Sequence, residues 1–385
     1  MNHILKSAKD MENQIIADRR AIHENPEVGH ELPKTTAFVK QRLEEMGIEA
    51  KEICKSGIVA TIGKGEKTIL LRADMDALPM QEINELSFKS KNNNAHTCGH
   101  DMHTAMLLGA AKLLKDREAE LKGMVKLMFQ PAEEFGTGAK SMIETGLLEN
   151  PKVNAAIGLH VMPDIDKGVI EYKQGITSSF IDGFTIEVQG KGGHSSTPHT
   201  AIDPINILNS IYNNLNSLVS KEINPFETAV LTIGKFIAGD LANIIPDSGY
   251  MQGTLRCFSR ETRNFLMNRL NTISTSVAAS LRGECKVTSI STPAVDNNSE
   301  LCEFMVPYVE EVIGKENVRI KEKPLSGSED FSYVAEAVPS MFMFLGTGDK
   351  DSYPVHNPHV FFDESVLHKG TAILANCAIN WLERN

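Results

Sequence analysis

Residues 95–114, AHTCGHDMHTAMLLGAAKLL, place one cysteine and three histidines at the start of an apolar run with helical spacing. Cys98 and His100 are two positions apart, so both side chains can face the same way in an extended loop. A thiolate and an imidazole together suit zinc, manganese, nickel or cobalt, depending on the remaining ligands. A buried free cysteine beside a capping aspartate, Asp101, is the alternative, and this stretch alone does not decide between the two.

Two adjacent carboxylates follow the apolar run MVKLMFQ at residues 124–130. Pro131 ends that run, so we expect Glu133 and Glu134 just beyond the carboxyl end of a strand. In a random loop such a pair more often forms a solvated face. Beside a metal site, however, one carboxylate can bind metal while its neighbour moves a proton.

Two further histidines lie where a loop begins. His160 in IGLHVMP closes an apolar strand shortly before Pro163, and His356 lies with His359 in the loop YPVHNPHVFFDE. Each histidine taken alone is more often structural or exposed than a ligand. Together with the residues above, they would supply the remaining nitrogen ligands of a two-metal site.

These candidates need a sheet that brings the ends of several strands together. The first part of the chain alternates helices and strands, with helices at 8–22 and 34–47, a strand at 67–76, a helix from about residue 101, a strand at 124–130, a helix at 138–148 and a strand at 155–161. This order predicts an α/β fold with a largely parallel sheet and helices on both faces. The candidates lie at the carboxyl ends of its strands, where such sheets bind ligands.

The pattern changes near residue 182. From there the chain predicts a strand at 183–191, a helix at 201–220, strands at 228–239 and 249–259, a helix at 260–282 and a strand at 285–293. The order β-α-β-β-α-β matches a ferredoxin-like α+β unit. We therefore predict a larger catalytic domain of residues 1–181 and 297–385, into which residues 182–296 are inserted as a smaller domain.

Bulk properties exclude several classes of function. The chain has 385 residues, 41% of them hydrophobic and 23% charged, which is ordinary for a globular protein. Its net charge of −11 argues against a nucleic-acid partner, which needs a basic face. No apolar run approaches the ~20 residues that span a membrane, and no signal peptide is apparent. The six scattered cysteines do not resemble a disulfide framework, so we expect a cytoplasmic protein.

The clusters are more specific jointly than singly. The chain resembles the M20 family of metallopeptidases and aminoacylases, in its amidohydrolase branch of hippurate, N-acyl-amino-acid and auxin-conjugate hydrolases. The resemblance covers nearly the whole chain and is carried, in the family's order, by RRAIHENPE, LLRADMDALP, HTCGHDMHTAMLLGAA, FQPAEEFGTGA, GLHVMP, GKGGHSSTPH, NIIPDSGYMQGTLR, SGSEDFS and HNP.

The resemblance implies a centre of two divalent ions, which could be manganese, zinc, cobalt or nickel. Its implied ligands are Cys98, His100, Glu134, His160 and His356, with the Cys98 thiolate bridging the ions. Glu133 matches the family's general base, and Asp76 matches a carboxylate that orients a metal-bound histidine or stabilises the site from behind the ligands. Asp74 stands where other branches place a metal-binding histidine, which favours the amidohydrolase branch. His359 does not match and is left out.

The inserted domain carries further candidates. From the sequence alone, His194 in GKGGHSS is best interpreted as a turn histidine. In the resembled family this histidine donates a hydrogen bond to the tetrahedral oxyanion, often in the active site of the partner subunit. Asn243 and Arg256 match positions that help to hold substrate. The resemblance also implies a homodimer or homotetramer, and we expect the inserted domain to serve as a lid and to form the subunit interface.

We therefore predict a metal-dependent amidohydrolase that cleaves N-acyl amino acids of the N-acetyl or N-benzoyl type by attack of a metal-bound water, with Glu133 as general base. An N-acetyl-diaminopimelate deacetylase of lysine biosynthesis would share every motif and remains an alternative. A non-catalytic homologue that binds metal or amino acid is the other, although Glu133 is intact. A serine hydrolase lacks its G-x-S-x-G motif here, and no complete phosphate-binding loop is present.

Overall fold

A computed structural model of the chain describes residues 3–384. Its α-helices are α1 (His3–Asp10), α2 (Glu12–His23), α3 (Pro33–Glu45), α4 (His100–Lys115), α5 (Gly138–Glu144), α6 (Pro204–Glu222), α7 (Arg260–Ser280), α8 (Ser299–Ile313), α9 (Ser332–Ala337) and α10 (Leu367–Glu383). Its β-strands are β1 (Ala50–Cys54), β2 (Gly57–Gly63), β3 (Thr68–Asp74), β4 (Met124–Gln130), β5 (Ala155–Asp166), β6 (Ile170–Tyr172), β7 (Gly175–Ile176), β8 (Phe180–Gln189), β9 (Gly193–His194), β10 (Ala229–Ala238), β11 (Ile244–Ile245), β12 (Ser248–Cys257), β13 (Glu284–Thr292), β14 (Asp296–Asn297), β15 (Val318–Ile320) and β16 (Ser340–Gly348).

The chain divides into two compact units. The larger consists of Met1–Thr177, Val295–Lys323 and Glu329–Asn385, and the smaller consists of Ser178–Ala294 and Pro324–Ser328. The smaller unit therefore begins and ends a few residues before the predicted boundaries at 182 and 296. It also includes residues 324–328, which the sequence prediction had assigned to the catalytic domain.

An eight-stranded sheet runs through the larger unit in the order β1-β2-β4-β3-β5-β16-β6-β15. The central pairs β4–β3, β3–β5 and β5–β16 are parallel, whereas β1–β2, β2–β4 and β16–β6 are antiparallel. Strand β3 is buried along its whole length, as expected of a parallel strand covered on both faces. The prediction of a mostly parallel mixed sheet is confirmed.

Helix α4 contains the apolar run that follows the cysteine–histidine stretch. Almost all of its residues are buried, including the polar Asp101 and Thr104. A helix that is apolar on every side must be covered on every side, and α4 packs against α2, α10 and β3. Within residues 3–384, neither α4 nor any other helix is long and apolar enough to cross a membrane.

Two local predictions about the larger unit were wrong. The helix expected at 8–22 is divided at Met11, whose ψ of 1° interrupts the helical path between α1 and α2. Strand β5 continues through Pro163, so His160 lies inside the strand and not at its end. The strand accommodates the proline because its register with β16 shifts between Gly346 and Gly348, where a proline costs no regular ladder bond.

The smaller unit is a four-stranded antiparallel sheet with helices on one face. The strand order is β10-β12-β8-β13, and α6 and α7 pack on the sheet and on each other. Alternate side chains of β8, namely Phe184, Ile186 and Val188, enter a core shared with Ile211 and Leu266 of the two helices. The chain order β8-α6-β10-β12-α7-β13 is the ferredoxin-like arrangement predicted from the sequence.

Candidate metal centre

The candidates of the larger unit gather at one edge of its parallel strands. Asp76 lies two residues after β3, and the 3₁₀ turn Glu133–Phe135 follows β4. His160 lies on β5, the next strand of the sheet, and helix α4 begins at His100. Neighbouring parallel strands direct their carboxyl ends to the same edge, so residues far apart along the chain meet there.

Gly99 determines how Cys98 and His100 face the cluster. Its φ of +88° is in the left-handed region, and it stands immediately before α4. A Cβ at this position would lie 2.3 Å from Cγ2 of Val161, so the close approach requires glycine. The sequence prediction of an extended loop was therefore wrong in detail, because a left-handed turn and a helix start direct the two side chains.

Three overlapping groups each contain at least two of the predicted ligands, and within each group all the ligand atoms lie within 4.8 Å of one another. The groups are Cys98–His100–His160, Cys98–Glu134–His356 and His100–Glu133–Glu134. Cys98, His100 and Glu134 each belong to two of these groups. The structure thus brings together all five residues predicted as ligands.

Backbone carbonyls fix the tautomers of two histidines. Nδ1 of His100 donates to the carbonyl oxygen of Asp76 at 2.8 Å, and Nδ1 of His160 donates to that of Val161 at 2.7 Å. Because a carbonyl oxygen only accepts, each Nδ1 must carry a proton, and in the neutral ring the free lone pair is therefore on Nε2. Nε2 of His160 lies 3.4 Å from Sγ of Cys98. Both rings are therefore prepared to bind a cation through Nε2.

His356 joins the cluster from the C-terminal loop. Its Nε2 lies 3.1 Å from Oε1 of Glu134, and its side chain is 50% exposed. The backbone N–H of His356 donates to the carbonyl oxygen of Thr97 at 2.9 Å, which ties the loop to the turn that carries Cys98. The φ of +62° at His356 shows that the loop bends sharply to reach this position.

Glu133 has different partners from its neighbour Glu134. Its Oε1 accepts the backbone N–H of Asp330 at 3.4 Å, and its Oε2 lies 4.0 Å from Nε2 of His100. Burial raises the pKa of the Glu133 carboxyl well above its ordinary value, and the charges of Glu329 and Asp330 raise it further. A raised pKa suits a carboxylate that must take up and release a proton near neutral pH.

Asp76 holds the turn on which this carboxylate pair stands. Its Oδ1 accepts the backbone N–H of Glu133 at 3.0 Å, and its Oδ2 accepts that of Glu134 at 3.3 Å. Asp76 Oδ1 also lies 3.4 Å from Nδ1 of His100. The carboxylate predicted to support the site from behind the ligands is thus placed against both the carboxylate turn and a histidine.

Asp74 is buried at the position where other branches of the family place a metal-binding histidine. Its Oδ1 accepts a hydrogen bond from Nδ1 of His103 at 2.6 Å, and its Oδ2 lies 2.9 Å from Nη1 of Arg72. Nε2 of His103 accepts the backbone N–H of Val161 at 2.8 Å, so His103 is a neutral ring with both nitrogens engaged. The sequence analysis gave His103 no role, although its i+3 spacing from His100 was a signal.

The donor set fits a divalent metal. Nε2 of His100 is buried and has no hydrogen-bond partner among residues 3–384, at a cost of about 1–3 kcal/mol that a bound cation would remove. Burial raises the pKa of the Cys98 thiol well above its ordinary value, and His100 offsets this only in part. A metal ion would favour the thiolate. Sulfur, imidazole and carboxylate donors together suit zinc, manganese, cobalt or nickel.

Within the smaller unit, the three candidate residues lie near two opposite ends of strand β12. His194 on β9 pairs with Ile244 on β11, and the carbonyl oxygen of Asn243 accepts the backbone N–H of Ser195 at 3.2 Å. These residues lie next to the end of β12 that begins at Ser248. Arg256 lies near the other end, after about 26 Å of strand. The structure thus brings His194 and Asn243 together within this unit and does not bring Arg256 to them.

The tautomer of His194 also follows from its contacts. Its Nδ1 accepts the backbone N–H of Ser196 at 3.1 Å, so the ring proton is on Nε2. The side chain is exposed, which leaves Nε2–H free to act as a donor. This is the form that can donate to an oxyanion.

Sequence reasoning missed a buried charged network beside Glu133. Arg72, Glu329 and Asp330 are all nearly inaccessible and contact one another. The available signal was an arginine inside an apolar strand, since a buried charge requires a partner. His359, which was left out of the ligand set, belongs to none of the ligand groups and stacks on Tyr353 with ring centroids 5.2 Å apart.

Comparisons with known proteins identify the family of this chain. The family model for peptidase family M20/M25/M40 matches residues 70–380. The chain is 39% identical to IAA-amino acid hydrolase ILR1-like 4 of Arabidopsis thaliana, over 98% of the chain and 88% of the relative. It is also 39% identical to the N-acetyl-L-cysteine deacetylase of Bacillus subtilis, over 97% of the chain and 90% of the relative.

A solved structure is similar along almost its whole length. It is a dinuclear metal-binding peptidase of the M20 family from Bacillus subtilis, with a TM-score of 0.82 and 33% sequence identity, covering 97% of this chain and 99% of that one. The family match and the full-length identities confirm the resemblance found in the motifs. The chain belongs to peptidase family M20/M25/M40 and is a metal-dependent amidohydrolase of that family.

Proposed function

We propose that the protein hydrolyses the amide bond of N-acyl amino acids, with Glu133 as the general base beside two divalent ions. The ions would be held by the side chains grouped above, namely Cys98, His100, Glu134, His160 and His356. The relatives act on compounds of this class, since their names specify an IAA-amino acid and N-acetyl-L-cysteine. Acetyl and benzoyl are the acyl groups that we expect first.

The observation that carries the proposal is the division between Glu133 and Glu134. Both carboxylates share a group with His100, but only Glu134 also belongs to a group with Cys98 and His356. Consecutive carboxylates on one turn can therefore have different chemical roles. One is placed to bind metal, and the other is placed to move a proton.

When bound, the ions would supply Lewis acidity that activates water and polarises the amide carbonyl. Glu133 would take a proton from the attacking water and deliver it to the amine nitrogen that leaves. Asp76 would keep the turn of Glu133 in place during both transfers through its two backbone hydrogen bonds. His194 would donate its Nε2 proton in a hydrogen bond to the oxyanion, a contribution of about 3–4 kcal/mol for a well-placed donor.

We further propose that His194 acts in the site of a partner subunit. Asn243 would accompany it, whereas Arg256 would bind the α-carboxylate of the substrate from its own subunit. The positions within the smaller unit support a division of these residues between two subunits, because one small substrate cannot contact both ends of the same sheet. A homodimer would supply both sets of residues to each site.

Strand β10 favours the smaller unit as the subunit interface. It is an edge strand of the sheet and is ten residues long. Its exposed apolar side chains include Val230, Phe236 and Ile237, and they are followed by the exposed Leu241. A long apolar edge strand offers unpaired backbone groups to a second copy. We propose that two subunits associate through this edge and that the smaller unit also closes over substrate.

The location that we propose is the cytoplasm. All six cysteines are free, and Cys98, Cys257, Cys302 and Cys377 among them are buried. Such thiols are typical of a reducing compartment. The Cys98 thiol in particular must remain reduced if it is to bind metal.

The test is turnover of a substrate panel by the purified protein loaded in turn with manganese, cobalt, nickel and zinc. The panel would contain N-acetyl, N-benzoyl and N-succinyl amino acids. We expect Glu133→Gln to lower kcat at least about 100-fold while metal content by elemental analysis stays unchanged. Glu144→Gln, an exposed carboxylate on α5, is the matched control and should keep full activity. A fully active Glu133→Gln protein would refute the proposal.

A further inference from the structure

Arg72 is a buried cation inside the strand that leads into the site. It is 2% exposed and lies on β3. Its Nε donates to Oε1 of Gln130 at 2.9 Å, and its Nη1 lies 2.9 Å from Oδ2 of Asp74. Its two terminal nitrogens donate a forked pair of hydrogen bonds to the carboxylate of Glu329, from Nη2 to Oε1 at 2.7 Å and from Nη1 to Oε2 at 3.2 Å. A fork of this kind fixes the orientation of both partners.

Glu329 belongs to the segment that contacts the side chain of Glu133. The next residue, Asp330, donates its backbone N–H to Oε1 of Glu133 at 3.4 Å. The side chain of Asp330 is held in turn, because Oδ2 accepts the backbone N–H of Ala139 at 2.9 Å and Oδ1 accepts the side-chain amide of Gln130. The fork to Glu329, the backbone between Glu329 and Asp330, and the hydrogen bond from the Asp330 N–H therefore join the guanidinium to the proposed base.

The position of the 329–330 segment beside Glu133 depends on the positive charge of the guanidinium. Glu133, Glu329 and Asp330 present carboxylate oxygens within 4.8 Å of one another. Carboxylates this close repel one another when ionised, most strongly where burial excludes water, and burial together with the charge of Glu329 raises the pKa of Asp330 to about 8. The charge of Arg72 lies beside two of them and reduces that repulsion. Without it, the 329–330 segment would tend to move away from Glu133.

We propose that Arg72 is a positioning residue for amide hydrolysis, which fixes the carboxylate of Glu133 through its fork with Glu329. The inference rests on the proposed function, since it needs Glu133 as the base. Arg72 itself would not touch the substrate. It determines where the base stands, and a displacement of about 1 Å at a reacting group can cost about 100-fold in rate.

The test compares Arg72→Gln, Arg72→Lys and Glu329→Gln with the natural protein after metal loading. We expect Arg72→Gln and Glu329→Gln to lower kcat about 100-fold with little change in KM, because substrate binding is not altered. Lysine keeps the charge but cannot form the fork. Arg72→Lys should therefore recover only part of the lost kcat.

A double-mutant cycle shows whether Arg72 acts through Glu133. In a Glu133→Gln background, adding Arg72→Gln should cause no further loss of kcat, because the positioned group is already gone. Additive losses would overturn the inference, since the arginine would then serve another part of the reaction. If Arg72→Gln does not fold, Glu329→Gln keeps the side-chain shape and takes its place in the cycle.

Metal content and thermal unfolding are measured for every variant. Arg42→Gln is the matched control, because Arg42 is also a salt-bridged arginine of the larger unit, with Asp18, and has no contact with the site. It should keep its kcat. If the Arg72 variants lose metal and their kcat recovers on saturation with metal, Arg72 acts through the ligands near Asp74 and the inference is overturned.

The outcomes separate this inference from the proposed function. A fully active Glu133→Gln protein would remove the general base and with it both proposals. An inactive Glu133→Gln protein together with fully active Arg72→Gln and Glu329→Gln proteins would overturn only the positioning role.

Discussion

Asp76 accepts the backbone N–H of Glu133 at 3.0 Å with the same carboxylate that accepts the N–H of Glu134 at 3.3 Å. One side chain thus fixes the turn that presents both the proposed base and a proposed ligand. The turn begins after Ala132, whose φ of +50° is unusual for alanine and needs such support.

Replacing Asp76 by asparagine should weaken this turn. An amide has one accepting oxygen, and its NH₂ group would face a backbone N–H, so one of the two hydrogen bonds is lost. We expect kcat or metal affinity to fall about 10–100-fold, as is usual when support behind a metal ligand is removed. Steady-state kinetics and elemental analysis check this.

The control for that change is Asp363→Asn, which alters an aspartate that accepts the backbone N–H of Ser365 at a helix start in the same unit. It should leave both quantities unchanged. Equal behaviour of the Asp76→Asn and natural proteins would contradict the role given to Asp76.

Gly99→Ala should release metal. The new Cβ would lie 2.3 Å from Val161, and the φ of +88° is strained for alanine, so Cys98 and His100 on either side must shift. The control is Gly146→Ala, where φ is +96° but nothing lies within 4 Å of the new Cβ. That variant should lose only about 1–2 kcal/mol of stability and keep its metal. Equal metal content in both variants would show that the Gly99 backbone does not place the ligands.

His23 should make stability depend on pH above neutrality. Burial lowers its pKa, but hydrogen bonds and charge from Asp101 and Glu82 outweigh this and raise the pKa to about 9, against 6.5 in the unfolded chain. The protonated ring is therefore favoured by folding. Its contribution, about 3 kcal/mol at most, is complete below pH 6.5 and is lost as the pH rises to about 9.

The measurement is urea unfolding of the natural and His23→Gln proteins between pH 6 and 9. The difference between their free energies of unfolding should shrink across this range. A difference for His23→Gln that grew with pH would contradict the assignment, because the sign would be reversed.

Ile237→Lys should separate the proposed dimer into monomers. Ile237 is 47% exposed on β10, and a charge on this edge disfavours strand pairing with a second copy. Ile290→Lys is the matched control, since Ile290 is 83% exposed on β13 at the opposite edge of the same sheet. Sedimentation velocity should give monomers for the first variant and dimers for the second. Dimers in both would place the interface elsewhere.

Local patterns in the sequence were sufficient for most of the fold and for placing several candidate site residues near the ends of its strands. The apolar run of β4 and the proline after it place Glu133 and Glu134 beyond a strand end, and the β-α-β-β-α-β order identifies the smaller unit. These features depend on periodicity, chain order and turn chemistry, all of which act between residues near in sequence. Motif order added the ligand set and the family.

Tertiary structure alone decided which partners those residues contact. The tautomer of His100 depends on a carbonyl 24 residues away, and the fork of Arg72 depends on Glu329, 257 residues away. Such pairs follow from the way strands and loops pack, and no local pattern specifies them. The sequence by itself determined which side chains are available to bind metal and move protons. Packing decided which nitrogen stays free, which carboxylate faces which partner, and that a buried arginine stands behind the proposed base.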